Sequence, residues 1–114
     1  NMTEVSIAEL ENQKDQLKKL TELRDIAEKL YRNKDFKKLI LEEYMINEAA
    51  RLVQVSGDPN LNKEQKEDAM AMAQATGHLK RYLQIVCQMG NHAESEINNI
   101  DAELADIRVE VQDE

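Results

Sequence analysis

Proline, glycine, cysteine and aromatic residues are all scarce in this chain. Its 114 residues include one proline, three glycines, one cysteine, three tyrosines and one phenylalanine, and tryptophan is absent. Tight turns between strands and nucleotide-binding loops depend on glycine and proline, so the composition argues against them and favours a single all-α domain over 1–114. No apolar run approaches the roughly 18 residues of a membrane span, and no leader pattern is present, so we expect a soluble protein.

Motifs for catalysis and for metal binding are also missing. The lone Cys87 cannot form an internal disulfide, and one cysteine with two histidines supplies too few ligands for a tetrahedral zinc site. His92 and Glu96 lie four residues apart on one predicted helix, but Cys87 projects about 140° away from His92. The sequence contains no Gly-rich phosphate loop, nucleophile motif or Glu-x-x-His pair. We therefore expect no enzyme, no metal and no cofactor.

Negative charge is concentrated at the C-terminal end. The net charge is −8, and residues 91–114 carry eight acidic residues against one arginine, which leaves 15 acidic and 14 basic residues in 1–90. Residues 14–38 have an excess of positive charge, with nine basic and five acidic side chains. The acidic end is a candidate partner surface or a solvated helical face. Its candidate residues are Asp101, Glu103, Asp106 and Glu110.

Apolar spacing predicts three helices, at about 3–32, 35–56 and 62–111. The last holds a coiled-coil-like seam in which apolar residues recur mostly by alternating threes and fours. That seam consists of Ala69, Met72, Ala75, Leu79, Tyr82, Val86, Met89, Ala93, Ile97, Ile100, Leu104, Ile107 and Val111. Segment 36–53 is the most apolar helix, and we expect it to form the buried centre. Asn62 and the amide of Gln65 are typical of a helix start.

The one strong break lies at 56–61. There Gly57 suits the left-handed conformation that ends a helix, and Pro59 bars continuation. A long antiparallel helical hairpin follows, in which reflection about Pro59 brings Lys14 and Lys18 near Glu103 and Asp101, and Arg24 near Glu94. A second fold-back at Asn33 would instead give a compact three-helix bundle, and the sequence does not choose between the two.

A hairpin of two helices leaves several apolar side chains partly uncovered. These interface candidates are Met45, Ile46, Met70, Met72 and Leu83. Dimerisation into a four-helix bundle would cover them, whereas a three-helix bundle would bury them within one chain. Helical spacing by itself favours core positions for Met72 and Met89.

Several segments together resemble small acidic helical proteins encoded by tailed bacteriophages. The similarity covers residues 20–110 and is carried by DFKKLILEEY at 35–44, EAARLV at 48–53, GDPN at 57–60, LKRYL at 79–83 and the acidic helical end. The resemblance implies phage origin and a helical fold, and it carries over no activity and no functional residues. The expected location is then the cytoplasm of a bacterial host, or the virion.

Three functions fit these observations. The leading one is a non-catalytic, oligomeric interaction or assembly protein that binds a virion component or a host protein. The second is an acidic inhibitor that imitates nucleic acid and blocks a host DNA- or RNA-binding enzyme. The third is direct nucleic-acid binding through the lysine-rich stretch 29–38, against which the isoelectric point near 4.8 and the lack of a recognition motif both count.

Overall fold

The computed structural model describes residues 2–113, with side chains from residue 4 onward. Its elements are α1 (Met2–Arg32), α2 (Lys34–Phe36), the π-helix π1 (Lys37–Glu48), α3 (Ala49–Ser56) and α4 (Lys63–Asp113). No strand occurs between residues 2 and 113. The all-α fold class is therefore confirmed, and the predicted helix bounds differ from the observed ones by at most two residues.

Asn33 interrupts the first helical arm. Its backbone is extended, with φ −79° and ψ 125°, and its side-chain Oδ1 accepts a hydrogen bond from the Phe36 amide at 2.9 Å. An extended residue with a side-chain cap begins a new helix. The rings of Tyr31 and Phe36 pack edge to face across this break, with centroids 6.2 Å apart. The helical arm thus breaks at Asn33, the position at which the sequence analysis placed the alternative fold-back.

Segment 37–48 is wound as a π-helix, whose backbone hydrogen bonds join residues five apart. Its wider turn keeps residues spaced by four on one side, so that Phe36, Ile40 and Tyr44 are all half-buried. Leu39, Ile46 and Val53 are exposed instead. The expectation that 36–53 forms the buried centre is wrong, because within this segment only Leu52 is buried.

The turn after α3 is held by hydrogen bonds rather than by a left-handed glycine. Gly57 has φ −93° and ψ 0°, which corrects the expected conformation. The amides of Gly57 and Asp58 bond to carbonyls three residues back, so the helix ends in a tightened last turn. At the start of α4, Asn62 Oδ1 accepts from the Gln65 amide at 2.8 Å, and Gln65 Oε1 accepts from the Asn62 amide at 3.0 Å. This reciprocal pair is the predicted capping box.

The contacts of the chain cluster into two compact units. The first joins the chain up to Ala27 with the chain from Val86 onward, and the second comprises Glu28–Ile85. In the first unit, α1 and the end of α4 run antiparallel, as shown by three cross-helix ion pairs: Glu11 with Arg108, Lys14 with Asp101, and Arg24 with Glu94. Arg24 meets Glu94 as predicted, whereas Lys14 meets Asp101 rather than Glu103.

Within the second unit, α4 buries a row of mostly small side chains and leaves a row with larger side chains mostly exposed. An inner row of α4 is buried and consists of Ala69, Ala73, Thr76 and Leu83. An outer row consists of Met72, Ala75, Leu79 and Tyr82, of which Leu79 is half-buried and the others are exposed. The separation of packed helices depends on the side chains at their contact, so small residues permit the closer approach. The predicted core seam is thus wrong for Met72 and Tyr82 here, and Met89 is likewise exposed.

Candidate interaction surfaces

The outer row borders an open groove in the second unit. The groove has a volume of about 300 Å³ and is lined by Tyr44, Glu48, Arg51, Leu52, Met72 and Ala75. Met72 is 53% exposed and Tyr82 is 54% exposed, which is high for large side chains at helical core spacing. An apolar row beside a groove is the arrangement that accepts an amphipathic helix.

The two charged groups that line the groove are paired with each other. Glu48 and Arg51 form an ion pair three residues apart, which lowers the pKa of the Glu48 carboxyl and raises the pKa of the Arg51 guanidinium. Elsewhere on π1, outside the groove lining, Lys38 Nζ lies 3.0 Å from Glu43 Oε1. That contact spans five residues, the spacing that the π-helix aligns. It raises the pKa of Lys38 and lowers the pKa of Glu43.

The predicted interface residues differ in how exposed they are. Met45 is half-buried, whereas Ile46, Met70 and Met72 are exposed. Leu83 is only 8% exposed, so its assignment to an outer face is wrong. It follows Thr76 by seven residues on the inner row, which is packed within the unit. The sequence analysis did not identify Tyr82 as a surface residue. The signal available in the sequence was the inner row of α4, a second set of residues at helical spacing that could form the core in place of the row containing Tyr82.

The acidic candidates lie at the end of α4 in the first unit. Asp101 is paired, with Lys14 Nζ 2.6 Å from its Oδ1, and this contact raises the pKa of Lys14. Glu103, Asp106 and Glu110 are exposed and are spaced by three and four residues, so they lie along one helical face. The structure thus leaves three of the four acidic candidates in one exposed row.

A second groove lies between α1 and α4 in the first unit. It is shallow, with a volume of about 550 Å³, and is lined by Asn12, Gln13, Gln16, Leu17, Glu96, Asn99 and Ile100. Four of the seven lining residues carry amide side chains, which both donate and accept hydrogen bonds, and two are apolar, so the groove combines apolar area with hydrogen-bonding groups and a single carboxylate. Its carboxylate, Glu96, lies 3.0 Å from His92 Nε2. The groove brings together no nucleophile with a general base.

Arg24 is the most heavily bonded polar side chain of the first unit. Its Nη1 donates to Glu94 at 3.1 Å, to Asn91 at 3.2 Å and to the Gly90 carbonyl at 3.4 Å. Its Nη2 donates to Asp25 at 3.1 Å. The hydrogen bonds to Glu94 and Asp25 raise the pKa of Arg24. Because the guanidinium is occupied by its own chain, this cluster joins α1 to α4 and is not a ligand site.

The candidate metal ligands do not converge. His92 and Glu96 form an exposed pair, and Cys87 is a half-buried free thiol. The described residues contain no group of three or more histidine, cysteine, aspartate or glutamate side chains that could hold a metal ion. In the same part of the chain, no helix is long and apolar enough to cross a membrane.

Comparisons with protein-family models, with curated proteins and with solved structures yield no match. The resemblance of residues 20–110 to phage proteins therefore stays a prediction. Among the surfaces of the described residues, the outer row and its groove are the most apolar.

Proposed function

We propose that this chain is a non-catalytic helical interaction protein that assembles with protein partners through the apolar surface of its second unit. The observation that carries the proposal is the outer row of α4, which has the spacing of a coiled-coil seam and in which Met72, Ala75 and Tyr82 are exposed and Leu79 is half-buried. The resemblance implies phage origin, and for a phage protein the partner would be a virion component or a host protein.

Local charge pairing indicates which force drives this assembly. Glu48 is paired with Arg51, so the two charged side chains that line the groove balance each other within the chain. Association then depends on burying apolar area, which salt does not screen. We expect oligomers that persist at high ionic strength.

Light scattering after size exclusion tests this proposal. The full chain is run over a range of concentrations, at low and at high salt. An oligomer that increases with concentration and resists salt supports assembly through apolar contacts. A species that keeps the 13.1 kDa mass of one chain under every condition contradicts it.

The exposed acidic row supports a second candidate, an inhibitor that imitates nucleic acid. Glu103, Asp106 and Glu110 align on one face near the end of α4 and would meet the basic groove of a DNA- or RNA-binding enzyme. The test is the affinity of the chain for such a host enzyme at low and at high salt, with a Glu103→Gln, Asp106→Asn, Glu110→Gln variant as control. Binding that neither weakens with salt nor depends on these carboxylates contradicts this candidate.

A further inference from the structure

The two rows of α4 differ in whether a partner already covers them. The inner row is buried within the second unit, whereas the outer row repeats apolar residues at steps of three, four and three and is exposed except at Leu79, which is half-buried. This repeat corresponds to positions a and d of a heptad, with Met72 and Leu79 at a, and Ala75 and Tyr82 at d. A heptad seam packs against a helix with the same repeat. The expected partner of the outer row is therefore a helix with the same apolar spacing.

The flanks of the outer row indicate how such a helix approaches. On the inner side, Thr76 and Leu83 are buried within the unit, so a partner must approach from the opposite flank, which carries Ala71, His78 and Ile85. In a parallel pair of helices, the flank with Ala71, His78 and Ile85 would face the Thr76 and Leu83 flank of the other helix, which is covered. In an antiparallel pair, the flank with Ala71, His78 and Ile85 faces the same flank of the other copy.

The composition of this flank allows the flanks of two copies to contact each other. One third of the chain is charged, yet the three residues of this flank include no lysine, arginine, aspartate or glutamate. Identical flanks that meet across a two-fold axis bring like residues together, so charges there would repel each other. A partner recognised by opposite charge would need a charged flank, which this surface lacks.

The groove beside the outer row supplies a place for an aromatic side chain. In an antiparallel pair centred on the row, Tyr82 of the second copy lies opposite Met72, at the edge of the groove. A cavity of about 150 Å³ holds benzene, and this groove measures about 300 Å³. The Arg51 guanidinium on its wall can pack on an aromatic face. Each copy would thus place one tyrosine in the groove of the other.

We infer that a second copy of this chain docks antiparallel on Met72, Ala75, Leu79 and Tyr82, with Tyr82 of each copy in the groove of the other. This inference rests on the proposed function and specifies the partner and the contact surface. It predicts a two-fold dimer with twice the 13.1 kDa chain mass.

Two methionines on the same helix provide a matched test. Met72 and Met70 are two residues apart, so their side chains project about 200° from each other around α4. Met72 lies on the outer row, whereas Met70 is 37% exposed and lies off it. Sedimentation equilibrium should show that Met72→Glu raises the dimer dissociation constant at least about tenfold. Met70→Glu should leave that constant within about twofold, and circular dichroism should show equal helicity in both variants.

The possible outcomes separate the docking surface from the proposed function. If both variants dissociate equally, or if neither does, the outer row is not the contact and the inference is overturned, while assembly itself stands. If the unmodified chain is monomeric at every concentration, both the inference and the proposed function fail. Loss of the dimer in Met72→Glu alone supports both.

Disulfide cross-linking tests the orientation. In a Cys87→Ser background, a protein carrying Ala75→Cys is mixed with one carrying Leu79→Cys. These positions lie in one layer of the antiparallel pair, so oxidation should give mainly the mixed dimer. Predominant cross-links between identical copies would indicate parallel helices and overturn the antiparallel arrangement.

Discussion

Gly90 lies where the side chain of Arg24 crosses α4, and a Cβ atom at Gly90 would stand 2.2 Å from the Cβ of Arg24. No rotamer change relieves this contact, because the position of a Cβ atom is fixed by the backbone. The close approach of α1 and α4 in the first unit therefore requires glycine at this position.

We predict opposite effects of alanine at two helical glycines. Gly90→Ala should destabilise the protein by about 1–3 kcal/mol, because α1 and α4 must move apart. Gly77→Ala should stabilise it by up to about 1 kcal/mol, because a Cβ there meets no atom within 4 Å and alanine favours the helix. Urea unfolding of both variants measures the difference. A stabilised Gly90→Ala protein would contradict the close approach.

Arg24 should contribute strongly to the stability of the first unit. Arg24→Met removes hydrogen bonds to Glu94, Asn91 and the Gly90 carbonyl, and we expect a loss of about 1–3 kcal/mol in unfolding free energy. Arg81→Met, at an exposed arginine of α4, is the matched control and should change stability by less than about 0.5 kcal/mol. Equal effects of the two variants would show that the Arg24 contacts add no net stability.

The capping box at the start of α4 gives a third prediction. Asn62→Ala removes the acceptor of the Gln65 amide and should lower the unfolding free energy by about 1 kcal/mol. At Asn60, the hydrogen bond to Asp58 uses the backbone amide, which alanine retains. Asn60→Ala is thus a nearby control, expected to leave thermal stability almost unchanged. A similar loss in both variants would argue against a capping role for Asn62.

The Lys38 contact predicts the titration of Glu43. Lys38 lowers the pKa of Glu43 from its ordinary 4.5, so this pair stabilises the fold above that pH and loses its effect as pH falls through the lowered value. Carbon NMR of the Glu43 carboxyl should show a midpoint below 4.5 that rises in Lys38→Met. High salt should reduce the difference, because both groups are exposed. An unchanged midpoint in the variant would rule out the contact in solution.

The hairpin geometry of the first unit could be predicted because it depends on local chain features. Scarce glycine and proline favoured helices, the 56–61 break fixed the reversal, and reflection about Pro59 then paired Arg24 with Glu94. That pair is observed at 3.1 Å. Lys14 was placed less accurately, because reflection aligns backbone positions, whereas a lysine side chain can reach a carboxylate one helical turn away, as it does at Asp101.

The choice of face on α4 could not be predicted in the same way. Inner and outer rows both have helical spacing, and the larger residues of the outer row made it the expected core. Which row packs depends on how closely another helix approaches, a property of two segments rather than one. Leu83 and Tyr82, adjacent in sequence, were therefore assigned to the wrong sides. The π-helix was missed because apolar residues at steps of four, such as Phe36, Ile40 and Tyr44, fit an α-helix as well as a π-helix.

The division of α4 into an inner and an outer row separates two kinds of mutational constraint. Enlarging Ala69 or Ala73 forces apart packed helices, so selection for folding acts directly on that side. Changes at Met72 or Tyr82 alter exposed surface and have little effect on the isolated chain. If the outer row binds a partner as proposed, substitutions there change which partner is bound while the fold stays the same.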